Sequence, residues 1–366
     1  MDPPTLDHVP TPALVIDSKT VLRNLQRMAE YGLRYELDMR PHTKTHKSRQ
    51  MAELQMEGGA IGLSAAKVGE AEMMSEVASD ILLAYPAIDP ARTARLAKLA
   101  SHVTVRVAVD STTGVKLIAA AANRAKATVG ILVDLDVGMG RTGVQTANQA
   151  LKLAQVVDGT PGVRFDGLFC YPGHIHLPPD EQGPLLDAVS RKLGQTLDLW
   201  AEHGLQARIV SGGSTPTAFQ SHLVGEYTEI RPGTYIYNDI NTVRGGYCQL
   251  EDCAASIIST VISTAVPGQV VLDAGTKTLT SDRCSYDPES GHGYIVEYPQ
   301  AVIGKLTEEH AQVDVRKCDR VPELGQRVTV IPNHVCPCIN LQDVVWWHDE
   351  GGQLVDLPID ARGLLV

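Results

Sequence analysis

HVTVRVAVDSTTGVKLIAAAANRAKATVGILVDLDVG, residues 102–138, is the stretch whose reading decides the fold. Its ends, 102–110 and 129–138, are rich in Val and other β-branched residues, and its middle is rich in Ala, with Leu and Lys. β-Branched side chains pack well on a pleated surface, whereas Ala, Leu and Lys lose little freedom in a helix. Strand, helix, strand is the alternation that builds a parallel sheet. Outward from this unit the pattern repeats. Further strands are expected at 37–43, 60–65, 80–87, 165–173, 207–214 and 229–237, which brings the count to eight. Helical segments lie between them, such as SAAKVGEAEMMSEVA (64–78) and GPLLDAVSRKLGQTLDLWAEHG (183–204). The second ends on a glycine, the residue that closes many helices. An open doubly wound sheet is the structural alternative, but the count and the spacing predict an α/β fold of the (β/α)8, TIM-like barrel type over residues 20–245.

After residue 245 the texture changes. Short alternating runs appear, including AASIISTVIS (254–263), QRVTVIPN (326–333) and DVVWWH (343–348), with turn residues between them. They predict a β-rich C-terminal domain. The run TPALVID (11–17) falls outside the eight-strand count and is assigned to it, so residues 1–19 plus 246–366 form the second expected domain.

Composition narrows the partners. The chain has 366 residues and a net charge of −11, which disfavours nucleic acid and anionic membranes. No apolar run approaches the ~20 residues a membrane span needs. The N-terminus MDPPTLDHVP lacks the basic and apolar regions of a secretory signal. Seven scattered cysteines do not make a disulfide framework, and a reducing cytoplasm is the expected setting.

The C-terminal ends of barrel strands carry the chemistry of this fold. RPHTKTHKSR (40–49) places Lys44 there, just past the first strand, with His42, His46 and Lys47 nearby. Neighbouring positive charge favours a neutral, nucleophilic amine. A solvated basic loop is the bland alternative. SGGST (211–215) and RPGTY (231–235) end the last two strands, where barrels bind phosphate, and Thr215 and Thr234 add hydroxyls. VDLDVGMGRTG (133–143) puts Asp134 and Asp136 on one strand face and Arg141 in the loop beyond, placed to meet an anionic oxygen. In PNHVCPCINLQD (332–343), His334 and Cys336 share a face if the segment is extended, and the imidazole–thiolate pair suits zinc. Cys338 is in phase with them but follows Pro337, where the chain can bend away.

Taken together, these motifs resemble the fold-type III pyridoxal phosphate enzymes, whose representative is alanine racemase. TPALVID, RPHTKTHK, DVGMGRTG, SGGST, RPGTY, LDAGTK (272–277), EEHA (308–311) and PNHVCPCINLQD are similar to the D-threonine aldolase and D-serine dehydratase branch, over nearly the whole chain. The resemblance implies that Lys44 carries pyridoxal 5'-phosphate. It implies that Arg141 meets the phenolic oxygen and that Tyr171 lies beside the cofactor. Gly213, Ser214, Gly233 and Thr234 would bind the phosphate, with the Tyr235 backbone. Apart from the resemblance, the strand-end position of Ser211 makes it the candidate to face the ring nitrogen. His334 and Cys336 would hold a divalent metal, Zn or Mn. His174 and His176, in YPGHIH (171–176), are candidate bases. The implied activity is metal-assisted retro-aldol cleavage of a D-β-hydroxy-α-amino acid, of D-threonine aldolase type, in a homodimer. His-x-Cys is similar to the dehydratases, so dehydration of D-serine or D-threo-3-hydroxyaspartate is the alternative. A non-catalytic pyridoxal phosphate carrier and an amino-acid racemase stand further off.

Overall fold

The computed structural model describes residues 5–366. The chain separates into two compact units. The first comprises Arg27–Lys44, Arg49–Gly233 and Gly363–Val366; the second comprises the residues through Gln26, Thr45–Ser48 and Thr234–Arg362. No helix among the described residues is long and apolar enough to cross a membrane.

The first unit is built on eight parallel strands: β1 Asp38–Met39, β2 Leu63–Ala65, β3 Asp80–Leu83, β4 Thr104–Val109, β5 Val129–Asp134, β6 Val163–Phe169, β7 Ile209–Gly212 and β8 Glu229–Ile230. Each pairs in parallel with the next from β2 to β8, and β8 pairs with β1. The ring closes between β1 and β2, where Ile61 donates to the Met39 carbonyl, Ser64 donates to the Pro41 carbonyl, and His42 bridges Ser64. The (β/α)8 barrel read from the alternation is therefore the observed architecture. Leu82, Ala108, Leu132 and Phe169 form one buried cluster across β3 to β6. The helices between the strands start at capping residues, such as Ser111, whose hydroxyl accepts from Gly114, and Thr146, which forms a capping box with Gln149.

All eight strands are shorter than expected, and three of them end for visible reasons. β1 stops before Pro41, and β8 stops before Pro232, because proline cannot donate to a ladder. β5 ends at Asp134 rather than at 138. Asp136 therefore lies in the loop, not on the strand face with Asp134. At Gly167 in β6 the backbone has φ +144, and a side chain there would meet the Ile209 carbonyl oxygen at 2.0 Å. This approach is to β7, and only glycine lets β6 pass it so closely; on its other side, the pairing of β6 with β5 shifts register beside the same residue.

The second unit is a nine-stranded sheet. Its centre is the long strand Ala255–Ser263, which pairs antiparallel with Ala13–Asp17, Gln269–Leu272 and Arg327–Ile331. The N-terminal strand Ala13–Asp17 also runs parallel to Val344–His348. The strand Val302–Leu306, which the sequence pattern did not single out, completes a hairpin with Ala311–Asp314. The unit takes in residues 234–245, which the texture change at 245 had left with the barrel. The reason is local bonding: Ile240 and Asn241 donate to the carbonyls of Pro332 and Asn333, and the Asp239 carboxylate accepts from the Val335 N–H.

Candidate active site

Lys44 sits in the tight 3-10 turn Thr43–Thr45 that follows β1. It is exposed, while Thr43, Thr45, His46, Lys47 and Ser48 around it are buried. Thr43 anchors the turn, donating its hydroxyl to the Glu70 carboxylate at 2.7 Å and approaching the Ser64 carbonyl at 3.0 Å. The His42 side chain accepts from the Lys44 backbone N–H at 3.4 Å. The expected cationic surround is only partly present. His46 is fully buried, its Nδ1 3.1 Å from the Ser48 nitrogen, and the Lys47 carbonyl accepts from Ala361. The Lys47 backbone thus ties the segment after Lys44 to Ala361 in the second unit.

The loop after β5 is organised by Asp136. One of its oxygens accepts from the N–H groups of Gly138 and Gly140 at 3.1 and 3.0 Å. Burial would raise its pKa, but these backbone bonds outweigh that and hold it below the usual carboxylate range. Asp134 is the opposite case: burial pushes its carboxyl up to about 6 despite a hydrogen bond from Thr142. The loop delivers Arg141, whose guanidinium lies over the Tyr171 ring at 4.7 Å. Among the described residues neither Arg141 nor Lys44 has a carboxylate partner within ion-pair distance.

His174 leans on the same loop. A side chain at Gly138, where φ is +130, would meet its Nε2 at 2.7 Å, so the glycine makes room for the imidazole. Its Nδ1 is buried and has no hydrogen-bond partner. Burial lowers the pKa of His174, which leaves it neutral at pH 7. His176, the other candidate base, is exposed.

The turns at the ends of β7 and β8 contain no Asp or Glu in SGGSTPT (211–217) or RPGTY (231–235). Gly213 adopts φ +76, the left-handed conformation that turns the chain. The buried Ser214 donates from its backbone to Thr217 Oγ1 at 3.2 Å, and the Gly233 N–H donates to Thr215 Oγ1 at 3.2 Å. Ser211 departs from its expected role. Its hydroxyl is fully buried, donates to Glu229 at 2.6 Å and accepts from Arg231 at 2.5 Å. Both bonds commit it to the barrel interior. Arg231 also donates to the Cys170 carbonyl and lies 3.8 Å from the Phe169 ring centre.

In the second unit, Thr234 and Tyr235 open the 3-10 turn Thr234–Ile236, and Tyr235 is buried. His334 is extended, but the segment then turns into the short helix Val335–Asn340, not the expected strand. Pro337 is tolerated there because first-turn N–H groups need no helical partner, and the Val335 N–H is satisfied by Asp239 at 3.0 Å. His334 and Cys336 remain neighbours despite this change. Burial pulls the pKa of His334 down, but the hydrogen bond and charge of Cys336 together with the Asp239 and Asp282 carboxylates outweigh it, and the imidazole rises to about 9. The Cys336 sulfur also lies 3.3 Å from the hydroxyl of Thr45, the residue after Lys44, and 3.7 Å from that of Thr234. Cys338 turns away: its thiol is buried and donates to the carbonyls of Leu279 and His334. His334 Nδ1 is 2.8 Å from Asp282, a residue the sequence reading missed. No group of three or more His, Cys, Asp or Glu placed to hold a metal is found among the described residues.

The barrel rim suits pyridoxal phosphate. It presents an exposed primary amine for the aldehyde, a guanidinium without a carboxylate for the phenolic oxygen, and acid-free turns with hydroxyls for the phosphate. The His334–Cys336 pair suits a borderline-soft divalent ion. Residues 16–240 match the alanine racemase N-terminal domain, and residues 254–347 match a serine dehydratase domain. The chain belongs to the alanine racemase-like, fold-type III pyridoxal phosphate family. Within that family it is similar to D-threonine aldolase from Arthrobacter sp, at 31% identity over 92% of this chain and 89% of that protein. It superimposes on the crystal structure of D-threonine aldolase from Filomicrobium marinum with a TM-score of 0.91, at 29% identity, covering 100% of this chain and 99% of that one. A metal-free Cys-to-Ala variant of D-threo-3-hydroxyaspartate dehydratase gives a TM-score of 0.89 at 27% identity, covering 97% of this chain and 98% of that one. These two solved structures, an aldolase and a dehydratase, thus stand at comparable distance from this chain.

Proposed function

We propose that this protein is a metal-dependent pyridoxal phosphate lyase that cleaves D-β-hydroxy-α-amino acids by a retro-aldol reaction, as a D-threonine aldolase does. Bound pyridoxal phosphate supplies an electron sink for the charge left on Cα when a bond there breaks. A divalent ion held by His334 and Cys336 would supply Lewis acidity to the substrate β-hydroxyl.

This chain's residues account for the rest. Lys44 holds the cofactor through its amine and exchanges with the substrate amine. Arg141, steadied by the face of Tyr171, binds the phenolic oxygen, and a permanent cation there keeps that oxygen ionised. Gly213, Ser214, Thr215, Gly233, Thr234 and Tyr235 bind the phosphate, the two hydroxyl-bearing turns supplying donors. His174 takes the proton of the β-hydroxyl. Breaking the Cα–Cβ bond then releases the aldehyde, and protonation at Cα yields glycine.

The observation that carries the choice of reaction is His174. Retro-aldol cleavage needs a base at the β-hydroxyl, whereas loss of that hydroxyl as water needs an acid. His174 is neutral, half-buried and has an unpartnered ring nitrogen, which suits a base. Cys336 favours the second reading, dehydration, because the thiol ligand is similar to the dehydratases. Incubation with D-threonine tests the proposal: acetaldehyde and glycine in equal amounts are expected, and ammonia with 2-oxobutanoate would reject it. His174→Asn should lower kcat by about 10²–10⁴-fold, the range for a lost general base, and leave the cofactor absorbance intact. Unchanged turnover would remove His174 from the mechanism.

A further inference from the structure

We propose that Asp282 is the positioning residue that sets the strength of the metal site. The inference rests on the reading that His334 and Cys336 are metal ligands, and it concerns how the chain aims the first of them.

An ionised carboxylate can only accept hydrogen bonds. The 2.8 Å contact to Asp282 therefore requires that His334 Nδ1 carry the hydrogen. Nε2 is then the ring atom left to face Cys336, to which the His334 side chain is hydrogen-bonded. A ligating histidine held in this way keeps one tautomer and one ring orientation, and the carboxylate raises its basicity toward a cation. The Asp–His contact alone could be a chance surface pair, since both side chains are partly exposed.

The backbone under Asp282 argues against chance. Asn333, the residue before His334, donates from Nδ2 to the Asp282 carbonyl at 3.1 Å and to the Gly291 carbonyl at 2.8 Å. The ring of His292 lies close to the backbone of Asp282 and Ser281, which raises its pKa against the larger lowering by burial. The Asp282 N–H donates to Thr280 Oγ1 at 3.3 Å. Asn333 and His292 are both buried. Two backbone hydrogen bonds and a buried ring thus fix one half-buried residue. They hold the carboxylate in register with His334, because the same asparagine side chain ties the Asp282 turn to the residue that leads into His334. On the other side, Asp239 fixes the Val335 N–H. His334 thus sits between two carboxylates with separate tasks: Asp239 holds the backbone of the turn, and Asp282 holds the ring.

Cobalt(II) titration of the full-length protein tests this, with a competing chelator to set the free ion and the thiolate-to-cobalt absorbance as the readout. The wild type should show that band, and Cys336→Ala should lack it. Asp282→Ala should bind Co²⁺ about 10–100-fold more weakly and shift the band, as expected for loss of an outer-shell carboxylate. Asp282→Asn, which keeps an acceptor without the charge, should fall between that variant and the wild type. Thermal unfolding of both variants without metal and their cofactor absorbance should match the wild type, which separates aiming the ligand from folding. Glu309→Gln, in a remote ion pair with Lys277, should titrate as the wild type does. If both Asp282 variants titrate like the wild type while the band is present, the positioning role is overturned and the metal pair stands. If the wild type itself gives no thiolate band, the metal reading fails, and this inference with it.

Discussion

The two ends of the barrel strands use charge in opposite ways. Toward the start of the strands, Arg40 pairs with Glu229 at 2.9 Å and Asp80 at 2.7 Å, Arg106 reaches Asp80 and Asp166, and Arg164 pairs with Asp166. Each of these three cations has a carboxylate partner, as charge withdrawn from water demands. At the other end, Lys44 is exposed and Arg141 rests on an aromatic face. Paired charge holds a structure together and has little left to offer a ligand. Cations without a carboxylate at the rim are available to an anionic one. The division matches the general partition of barrels into a stabilising face and a reactive one.

Substitutions at the two ends should therefore fail differently. The largest effect is expected from Lys44→Ala, which should abolish the visible absorbance of the bound cofactor and lower activity by roughly 10⁴-fold or more, the scale of losing a covalent catalytic group. Its unfolding midpoint should hardly move. A variant that kept both cofactor band and turnover would move the reactive amine elsewhere, with Lys47 the nearest alternative.

At the base, Glu229→Ala should reverse the pattern. It leaves the fully buried Arg40 without its main partner and should cost about 3–5 kcal/mol in urea unfolding. It also frees the Ser211 hydroxyl it accepts from, so the loss extends into the barrel interior. A change below 1 kcal/mol would mean that the network is solvated in solution.

Asp134 lies between these extremes and sharpens the contrast through pH. Its carboxyl is raised from 3.8 to about 6 by burial. The folded state thus binds a proton more tightly than the unfolded chain does. That contribution is fully present below pH 4 and is lost as pH rises through 6. Asp134→Asn should flatten this part of the stability profile and stabilise the protein at pH 7 by about 2–3 kcal/mol, from the size of the shift. A profile unchanged between pH 4 and 7 would show that Asp134 is hydrated.

Much of this was legible in the chain, for identifiable reasons. Eight strands could be counted because buried parallel strands leave β-branched runs separated by helices, as in 102–138. Strand ends were less legible. Pro41 and Pro232 end β1 and β8 within segments whose composition continues as strand. His-x-Cys alternation reads as extended, yet Asp239 captures the Val335 N–H and starts a helix. Ser211 illustrates the same limit: its place at the strand end was readable, but its commitment to Glu229 and Arg231 depends on side chains 18 and 20 residues away. Asp282 left no signal at all, because 52 residues separate it from His334. Asp136 could be seen as a loop organiser only in retrospect, through the glycines at 138 and 140 whose N–H groups it binds.

The measurement that bears most directly on the proposed reaction is turnover of D-threonine deuterated at Cα. Retro-aldol cleavage breaks Cα–Cβ and leaves the Cα–H bond alone. Acetaldehyde should therefore appear at the same rate from deuterated and ordinary substrate. Dehydration must remove that hydrogen. Formation of 2-oxobutanoate with a primary isotope effect would contradict the account and make Lys44, rather than His174, the base that matters.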